Sequence, residues 1–211
     1  VIAALKAIEN GNDPNLLVLS ADHLIKDTSK FRDAIRIGLK FSSNNKLVTF
    51  GVYPDSPETG YGYIKVDSEI DHEEIKGLNI NSFVEKPNLS KAKEFISSKK
   101  YFWNSGIFLF KASLIIDEIK RLCPDIYELC LKAFSNTIKD LDFLRIRKEQ
   151  FSKCPNISID KAVLEKTNLG IVIPMNNGWS DVGNWNSLWK QSSKNQNGNS
   201  FSGGAPPMKP N

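Results

Sequence analysis

Apolar residues along this chain form short continuous runs separated by stretches with helical spacing. Residues 15–20, 46–53, 106–110 and 169–174 are such runs, and the first three predict strands buried on both faces of a sheet. Between the first two runs, Thr28 or Ser29 is expected to cap a helix. Its apolar positions are Phe31, Ala34, Ile35, Gly38 and Leu39. A strand, a helix and a strand in this order predict an α/β fold.

The remaining segments predict further elements of the same domain. Strands are expected at 63–67 and 75–84, separated by an acidic turn at 71–74. Ser90 is expected to cap a helix, residues 113–150 are mainly helical with a new helix starting at Pro124, and 157–166 and 184–190 are short helices. The pattern predicts one α/β domain with a mixed sheet and a helical insertion before the last strand.

Composition narrows the class of protein. The chain has 211 residues, of which 40% are hydrophobic and 25% charged, which is typical of a globular protein. No apolar run approaches the roughly 20 residues that span a bilayer. Three cysteines without metal-ligand spacing indicate a reducing compartment, so we expect a cytoplasmic protein. The net charge of +4 comes from scattered bases, which argues against a nucleic-acid binder.

Both ends of the sequence suggest limits of the domain. The chain starts with Val1, and residues 1–8 already have a helical pattern that stops at 10–14, so the sequence is expected to begin within a helix. Residues 191–211 are rich in Ser, Asn, Gly, Pro and Lys, which predicts a flexible tail or linker. We therefore expect the domain to occupy residues 1–190.

Two aspartates are candidates for metal binding. Asp22 follows the apolar run at 15–20, and Asp181 lies in a tight turn between Trp179 and Gly183. Open α/β sheets bind ligands beyond the carboxyl ends of their strands. Two carboxylates without clustered His or Cys suit a hard cation such as Mg²⁺ or Mn²⁺. The alternative is that each aspartate only caps a helix or a turn.

A second group of residues suggests a polar ligand. We expect Glu85 to accept hydrogen bonds from sugar hydroxyls and Lys86 to bind a phosphate, provided that the strand ends there, as Pro87 implies. A surface ion pair is the alternative. Gly62 would let the backbone approach a ligand, and Tyr61 or Tyr63 would stack on a ring, although an ordinary turn explains them equally well. Asn104 would pair with vicinal hydroxyls or nucleate a turn.

In combination, these segments resemble the nucleotidylyltransferase domain of mannose-1-phosphate guanylyltransferases, especially the bacterial type fused to a phosphomannose isomerase. The resemblance covers residues 1 to about 195, and the order of the motifs is more specific than any one of them. The motifs are Ala21-Asp22-His23, Glu58-Thr59-Gly60-Tyr61-Gly62-Tyr63-Ile64, Phe83-Val84-Glu85-Lys86-Pro87, Trp103-Asn104-Ser105-Gly106, Ser158-Ile159-Asp160 with Glu165-Lys166, and Trp179-Ser180-Asp181-Val182-Gly183.

The resemblance implies a Rossmann-like fold of the glycosyltransferase-A type and transfer of GMP from GTP to mannose 1-phosphate. Asp22 and Asp181 would match the acids that bind the metal, and Lys86 would match a contact to the sugar phosphate; these three would be catalytic. The family's contacts to mannose would fall on Gly62, Glu85 and Asn104.

One family feature is missing from the sequence. The family begins with a strand and a glycine-rich loop carrying Arg and Lys, and no such segment is present here. We therefore expect an incomplete sheet and little or no activity from this chain alone. The alternatives are a nucleotidyltransferase that uses glucose 1-phosphate with UTP or dTTP, and a non-catalytic sugar-phosphate binding module. The sequence is also compatible with a homo-oligomer.

Overall fold

The computed structural model describes residues 1–71, 75–183, 188–189, 192–196 and 198–200. Most of the helix predicted at 184–190, most of the acidic turn at 71–74 and most of the predicted tail lie outside these ranges; residues 188–189 are helical. The helices are α1 (Ile2–Ile8), α2 (Thr28–Ser42), α3 (Leu89–Ser97), α4 (Ala112–Leu122), α5 (Pro124–Ser135) and α6 (Lys148–Phe151), with one π-helical segment at Asp160–Leu164. The strands are β1 (Asn15–Val18), β2 (Leu47–Val52), β3 (Tyr63–Lys65), β4 (Leu78–Asn79), β5 (Ser82–Val84), β6 (Tyr101–Lys111), β7 (Ile138–Asp140), β8 (Phe143–Arg145) and β9 (Gly170–Met175).

Seven strands form one mixed sheet in the order β4-β9-β2-β6-β3-β5, and β1 pairs with the far end of β6. Strands β2 and β9 run parallel, whereas β6 is antiparallel to β1, β2 and β3. Side chains alternate across the central strands. Leu47 and Val172 therefore join one core cluster with α1, α4 and α5, and Val48 and Ile171 join a second cluster with α2. The expected mixed α/β fold is confirmed.

Strand β6 carries a bulge at its centre. Thr49 pairs with Phe108 and Gly51 with Asn104, so Phe50 alone lies opposite three residues of β6. Gly106 has a φ of +70°, a conformation that glycine adopts without steric cost. The Ser105 hydroxyl donates to the Phe50 carbonyl at 2.7 Å. A bulge redirects the side chains beside it, and it does so here next to Asn104.

Strand β1 differs from the prediction, because it is not buried on both faces. It pairs with β6 on one side only, and Leu17, Val18 and Leu19 are 36%, 42% and 49% exposed. An apolar run looks the same in sequence whether its strand lies inside a sheet or at an edge, since burial depends on neighbours from elsewhere in the chain.

Two other segments were predicted incorrectly. The single strand expected at 75–84 is two short strands, of which β4 pairs with β9 and β5 pairs with β3. The region expected to be mainly helical contains the hairpin β7–β8 between α5 and α6. The predicted start of a helix at Pro124 is confirmed, with Pro at the first turn of α5.

The caps of α2 and α3 also differ from those expected. Asp27 accepts a hydrogen bond from the Lys30 amide at 3.0 Å, and Asn88 accepts one from the Lys91 amide at 2.9 Å. Each residue has an extended backbone just before its helix. A carboxylate or amide oxygen reaches the third amide of the helix as well as a hydroxyl does, so the neighbouring Ser or Thr becomes part of the first turn.

Helix α4 is capped by a residue that is distant in sequence. Asp13 accepts hydrogen bonds from the Ser113 amide at 2.9 Å and from the Ser113 hydroxyl at 2.8 Å. These bonds, the backbone one first, lower the pKa of Asp13. The carboxylate thereby satisfies an amide of the first turn that has no partner within the helix.

Asp13→Ala is expected to lower the free energy of unfolding by about 1 kcal/mol at pH 7, the usual effect of losing a cap. Folding lowers the pKa of Asp13. Its contribution to the free energy of unfolding is therefore fully present above the unfolded pKa of about 3.9, and it is lost as the pH falls through the pKa of the folded state. Urea unfolding of both proteins between pH 7 and pH 3 measures this. Asp33→Ala is the control, since it removes only an exposed ion pair with Arg36; equal losses for both variants would refute the cap.

The three cysteines are free thiols. Cys123 directly precedes α5, and the Cys130 Sγ lies 3.9 Å from the Cys154 Sγ. Burial and the neighbouring Cys154 raise the pKa of Cys130 to about 11. Among the described residues, no helix is long and apolar enough to cross a bilayer.

Candidate active site

The segments that carry Asp22 and Asp181 lie side by side. Leu24 and Ser180 exchange two backbone hydrogen bonds of 2.8 and 3.0 Å, and they form an antiparallel bridge. Asp22 lies two residues before Leu24, and Asp181 directly follows Ser180. The Trp179 indole N–H also donates to Nδ1 of His23 at 3.3 Å. The structure therefore brings the two candidate metal-binding segments to the same edge of the sheet.

The carboxylate of Asp181 is held by Tyr61. The Tyr61 hydroxyl donates to Oδ1 of Asp181 at 2.9 Å. Burial, followed by this bond, raises the pKa of Tyr61, so the hydroxyl remains protonated and donates. On the other side, a Cβ on Gly183 would lie only 3.0 Å from Oδ2 of Asp181. Glycine thus leaves room beside the second oxygen. Asp22 is exposed in a turn.

Aromatic rings fix the position of Tyr61. Its ring makes edge contacts with Trp103 and Trp179, with centroids 5.1 and 5.7 Å apart. Tyr63 was the other residue expected to stack on a ligand ring, but it is fully buried and its hydroxyl donates to the Glu58 carbonyl at 2.9 Å. Tyr63 therefore belongs to the core, and of these two tyrosines only Tyr61 reaches the site.

Glu85 and Lys86 lie just after the end of β5, as Pro87 indicated. Lys86 has a φ of +50°, and this left-handed turn lets its Nζ approach Oε1 of Glu85 at 2.9 Å. The pair raises the pKa of Lys86. The side chain of Glu85 is only 16% exposed, whereas that of Lys86 is 64% exposed. The ion pair that we considered as an alternative is present, but its carboxylate is largely buried and its ammonium is open to solvent.

Gly62 lies against Glu85. A Cβ at Gly62 would be 2.7 Å from Oε2 of Glu85 and 2.8 Å from the Phe83 ring. The Gly62 carbonyl accepts a hydrogen bond from the Asn104 amide at 2.8 Å. Because Tyr61 contacts Asp181 and Gly62 contacts Glu85 and Asn104, this dipeptide joins the aspartate pair to the second group of polar residues.

Asn104 lies within β6 at the bulge, and its side chain accepts from a backbone amide two residues further on, which is the contact of an Asx turn that we considered as the alternative. Its Oδ1 accepts from the Gly106 amide at 3.3 Å and lies 3.0 Å from the Thr49 hydroxyl, which also reaches the Ile107 carbonyl at 3.0 Å. Its Nδ2 donates to Oδ1 of Asp160 at 2.8 Å. Because two donors face Oδ1 of Asn104 and an acceptor faces Nδ2, the orientation of the side-chain amide is fixed.

Asp160 joins the group although local sequence patterns assign it no role. It begins the π-helical segment, and its carboxylate is partly buried beside Asn104. Burial, followed by the charge of Glu85, raises the pKa of Asp160. The only signal in the sequence was the presence of Asp160 in one of the motifs that carry the family resemblance. Local patterns do not show that it meets Asn104, 56 residues earlier in the chain.

Comparison with known proteins places this site in a family. The chain is 48% identical over 204 residues to the mannose-1-phosphate guanylyltransferase RfbM of Salmonella typhimurium, covering 96% of this chain and 42% of that protein. It is 45% identical over 201 residues to the mannose-1-phosphate guanylyltransferase of Escherichia coli, covering 94% of this chain and 42% of that protein. The chain thus spans less than half the length of these relatives.

The fold has a solved counterpart. The structure of the mannose-1-phosphate geranyltransferase from Thermus thermophilus matches with a TM-score of 0.74 and 32% identity, over 89% of this chain and 52% of that one. The nucleotidyl transferase family matches residues 1–198, which include all the motifs described above. The chain belongs to the nucleotidyl transferase family.

Proposed function

We propose that the protein containing this chain transfers GMP from GTP to mannose 1-phosphate, which gives GDP-mannose and pyrophosphate. The observation that carries the proposal is the pairing of the Asp22 and Asp181 segments through the Leu24–Ser180 bridge. It puts the Asp22 segment next to Asp181, whose carboxylate accepts from Tyr61. The adjacent Gly62 lies against Glu85 and accepts from the Asn104 amide. The names of the relatives, two of them mannose-1-phosphate guanylyltransferases, support mannose 1-phosphate over glucose 1-phosphate.

The donor atoms near Asp22 and Asp181 fit Mg²⁺ or Mn²⁺. Within the described ranges, no group of three His, Cys, Asp or Glu residues could hold a metal, so the proposal assigns the ion two protein carboxylates. Mg²⁺ commonly takes one or two carboxylates and completes its coordination with water and substrate phosphates. When bound, the ion would neutralise the charge of the triphosphate.

The other residues have roles that follow from their chemistry. Lys86 carries an exposed ammonium whose pKa is raised by Glu85, so it is charged at neutral pH and suits the phosphate of the sugar. A phosphate at Lys86 would compete with Glu85 for the ammonium and would free the carboxylate to accept from sugar hydroxyls. The absence of a side chain at Gly62 leaves the space that Glu85 occupies.

The reaction itself needs no covalent intermediate with the protein. An oxygen of the mannose 1-phosphate attacks the α-phosphorus of GTP in line, a new P–O bond forms, and the bond to pyrophosphate breaks. In such phosphoryl transfers, positioning and electrostatic stabilisation supply most of the catalysis. Lys86 and Glu85 would hold the attacking substrate, and Asp22 and Asp181 would align the triphosphate through the cation.

Tyr61→Phe tests how Asp181 is positioned. It removes the hydroxyl that donates to Oδ1 of Asp181, and loss of such a supporting bond typically weakens metal binding about 10-fold or more. We expect a rise of about 10-fold in the Mg²⁺ concentration for half-maximal activity, with an unchanged melting temperature. Tyr101→Phe, on β6 but away from the aspartates, is the matched control. An unchanged Mg²⁺ requirement in Tyr61→Phe would contradict this role.

A substrate panel tests the proposed function. Pyrophosphate release by the complete protein is measured with GTP, ATP, UTP and dTTP, each paired with mannose 1-phosphate and glucose 1-phosphate. The proposal predicts the highest kcat/KM for GTP with mannose 1-phosphate. A preference for UTP or dTTP with glucose 1-phosphate would favour the alternative enzyme, and binding of sugar phosphates without pyrophosphate release would favour a non-catalytic module.

A cytoplasmic location is also part of the proposal. It is supported by three cysteines that are all free thiols and by the nucleotide and sugar-phosphate substrates, which are cytoplasmic metabolites. Immunodetection in separated cytoplasmic, membrane and periplasmic fractions measures the location. Recovery mainly in the periplasmic fraction would refute it.

A further inference from the structure

Asp160 and Asn104 form a polar pair whose hydrogen-bonding capacity can be counted. Asn104 Oδ1 already faces two protein groups that can donate, the Gly106 amide and the Thr49 hydroxyl. One N–H of its Nδ2 is used by Asp160 at 2.8 Å. An amide has two N–H donors and one oxygen, so a single N–H remains for a ligand. The residue type suggested that Asn104 would bind two neighbouring hydroxyls, as donor to one and acceptor from the other. With a single N–H left, it is poorly placed to do so.

The acceptors in this part of the site are carboxylates. The Asp160 carboxylate accepts hydrogen bonds from the side chains of Asn104 and Ser158, while burial, followed by the charge of Glu85, raises its pKa. Glu85 has its own cation in Lys86. The charge of Lys86 also interacts with Asp160, but among the described residues no Lys or Arg makes a direct ion pair with it.

A purely structural role explains this arrangement poorly. Placing a partly buried carboxylate near a second one costs free energy, and an asparagine at position 160 would accept the same bond from Asn104 without that cost. A carboxylate gains most from hydroxyl and other polar donors, to which it forms bonds about twice as strong as a neutral acceptor does. A hexose supplies several such hydroxyls.

We propose that Asp160 is a specificity-determining residue that accepts a hydrogen bond from a hydroxyl of the hexose 1-phosphate, beside Glu85, and that Asn104 positions its carboxylate. This inference rests on the proposed sugar-phosphate site. The neighbouring carboxylates of Glu85 and Asp160 would then accept hydrogen bonds from different hydroxyls of one sugar ring. The contacts of Asn104 with Thr49 and Gly106 would hold the pair in place before the sugar arrives.

The test combines Asp160→Asn with deoxy sugars in the complete protein. Wild-type protein and variant are assayed with mannose 1-phosphate and with its 2-, 3-, 4- and 6-deoxy analogues. We expect Asp160→Asn to raise the KM for mannose 1-phosphate roughly 10- to 100-fold, as for a lost hydrogen bond to a charged group, and to leave the KM for GTP unchanged. Asp117→Asn, an exposed acid on α4, is the matched control.

The analogues distinguish a direct contact from a structural effect. For the analogue that lacks the hydroxyl bound by Asp160, the variant should show no further loss relative to wild type, while the losses for the other analogues persist. Equal further losses for all analogues would overturn the proposal. If the substrate panel shows a preference for another hexose 1-phosphate, the deoxy analogues of that sugar are used instead. The proposed substrate and the Asp160 contact are then tested separately.

If Asp160→Asn does not fold, a structure of the wild-type protein with its nucleotide sugar tests the same contact. A sugar hydroxyl oxygen within about 3.0 Å of the Asp160 carboxylate supports the proposal. A sugar ring that contacts Glu85 but leaves Asp160 bonded only to protein groups or water overturns it.

Discussion

Replacing Asp22 or Asp181 by asparagine is expected to lower the rate of GDP-mannose formation by the complete protein about 1,000-fold. The two segments are joined by the Leu24–Ser180 bridge, and the account requires both carboxylates to hold one cation. Removing either ligand would release the ion, so the double variant should be hardly slower than each single variant. Pyrophosphate release at saturating Mg²⁺ and substrates measures this.

Two controls make the result specific. Asp117→Asn changes an exposed acid far along the chain on α4 and should retain full activity. Melting temperatures of all variants show whether the fold is intact, which we expect because Asp22 is exposed and makes none of the core contacts. Losses below about 10-fold for either single variant, or strictly multiplicative losses in the double variant, would contradict a shared cation.

Gly62→Ala is expected to raise the KM for mannose 1-phosphate about 100-fold, the scale of a displacement of about 1 Å in a binding group. The added Cβ would lie 2.7 Å from Oε2 of Glu85 and 2.8 Å from the ring of Phe83. Phe83 packs in the core and resists movement, so Glu85 must shift. The KM for GTP should change little, because Glu85 is assigned to the sugar.

Gly60→Ala is the matched control in the same motif. A Cβ at Gly60 meets no atom within 4 Å, so this variant should bind both substrates as the wild type does. Substrate kinetics of the two alanine variants, with isothermal titration of mannose 1-phosphate, give the comparison. Similar KM values for Gly62→Ala and Gly60→Ala would show that Glu85 does not depend on the space at Gly62.

The central part of the fold could be predicted from the sequence because its signals are local. Strands β2 and β9 are apolar on both faces, and Pro124 starts a helix. The exposed edge of β1 and the division of residues 75–84 between two strands depend on partners far away in sequence. The hairpin β7–β8 has only three residues in each strand, too few for a clear alternation of apolar and polar residues.

The candidate site shows the same division. Glu85, Lys86 and the two aspartates stand out because charged residues interrupt or follow apolar strands. The bond from Tyr61 to Asp181 spans 120 residues and the bond from Asn104 to Asp160 spans 56, and no local pattern encodes either. The sequence suggested Tyr61 as a residue that stacks on a ligand, and the structure adds its bond to Asp181.

A crystal structure of the complete protein with Mn²⁺ and GDP-mannose tests the central claim most directly. The account predicts one anomalous difference peak about 2.1 Å from a carboxylate oxygen of Asp22 and from one of Asp181, with the mannose beside Glu85. A manganese peak at another place, or a bound nucleotide sugar whose phosphates lie away from both aspartates, would contradict it.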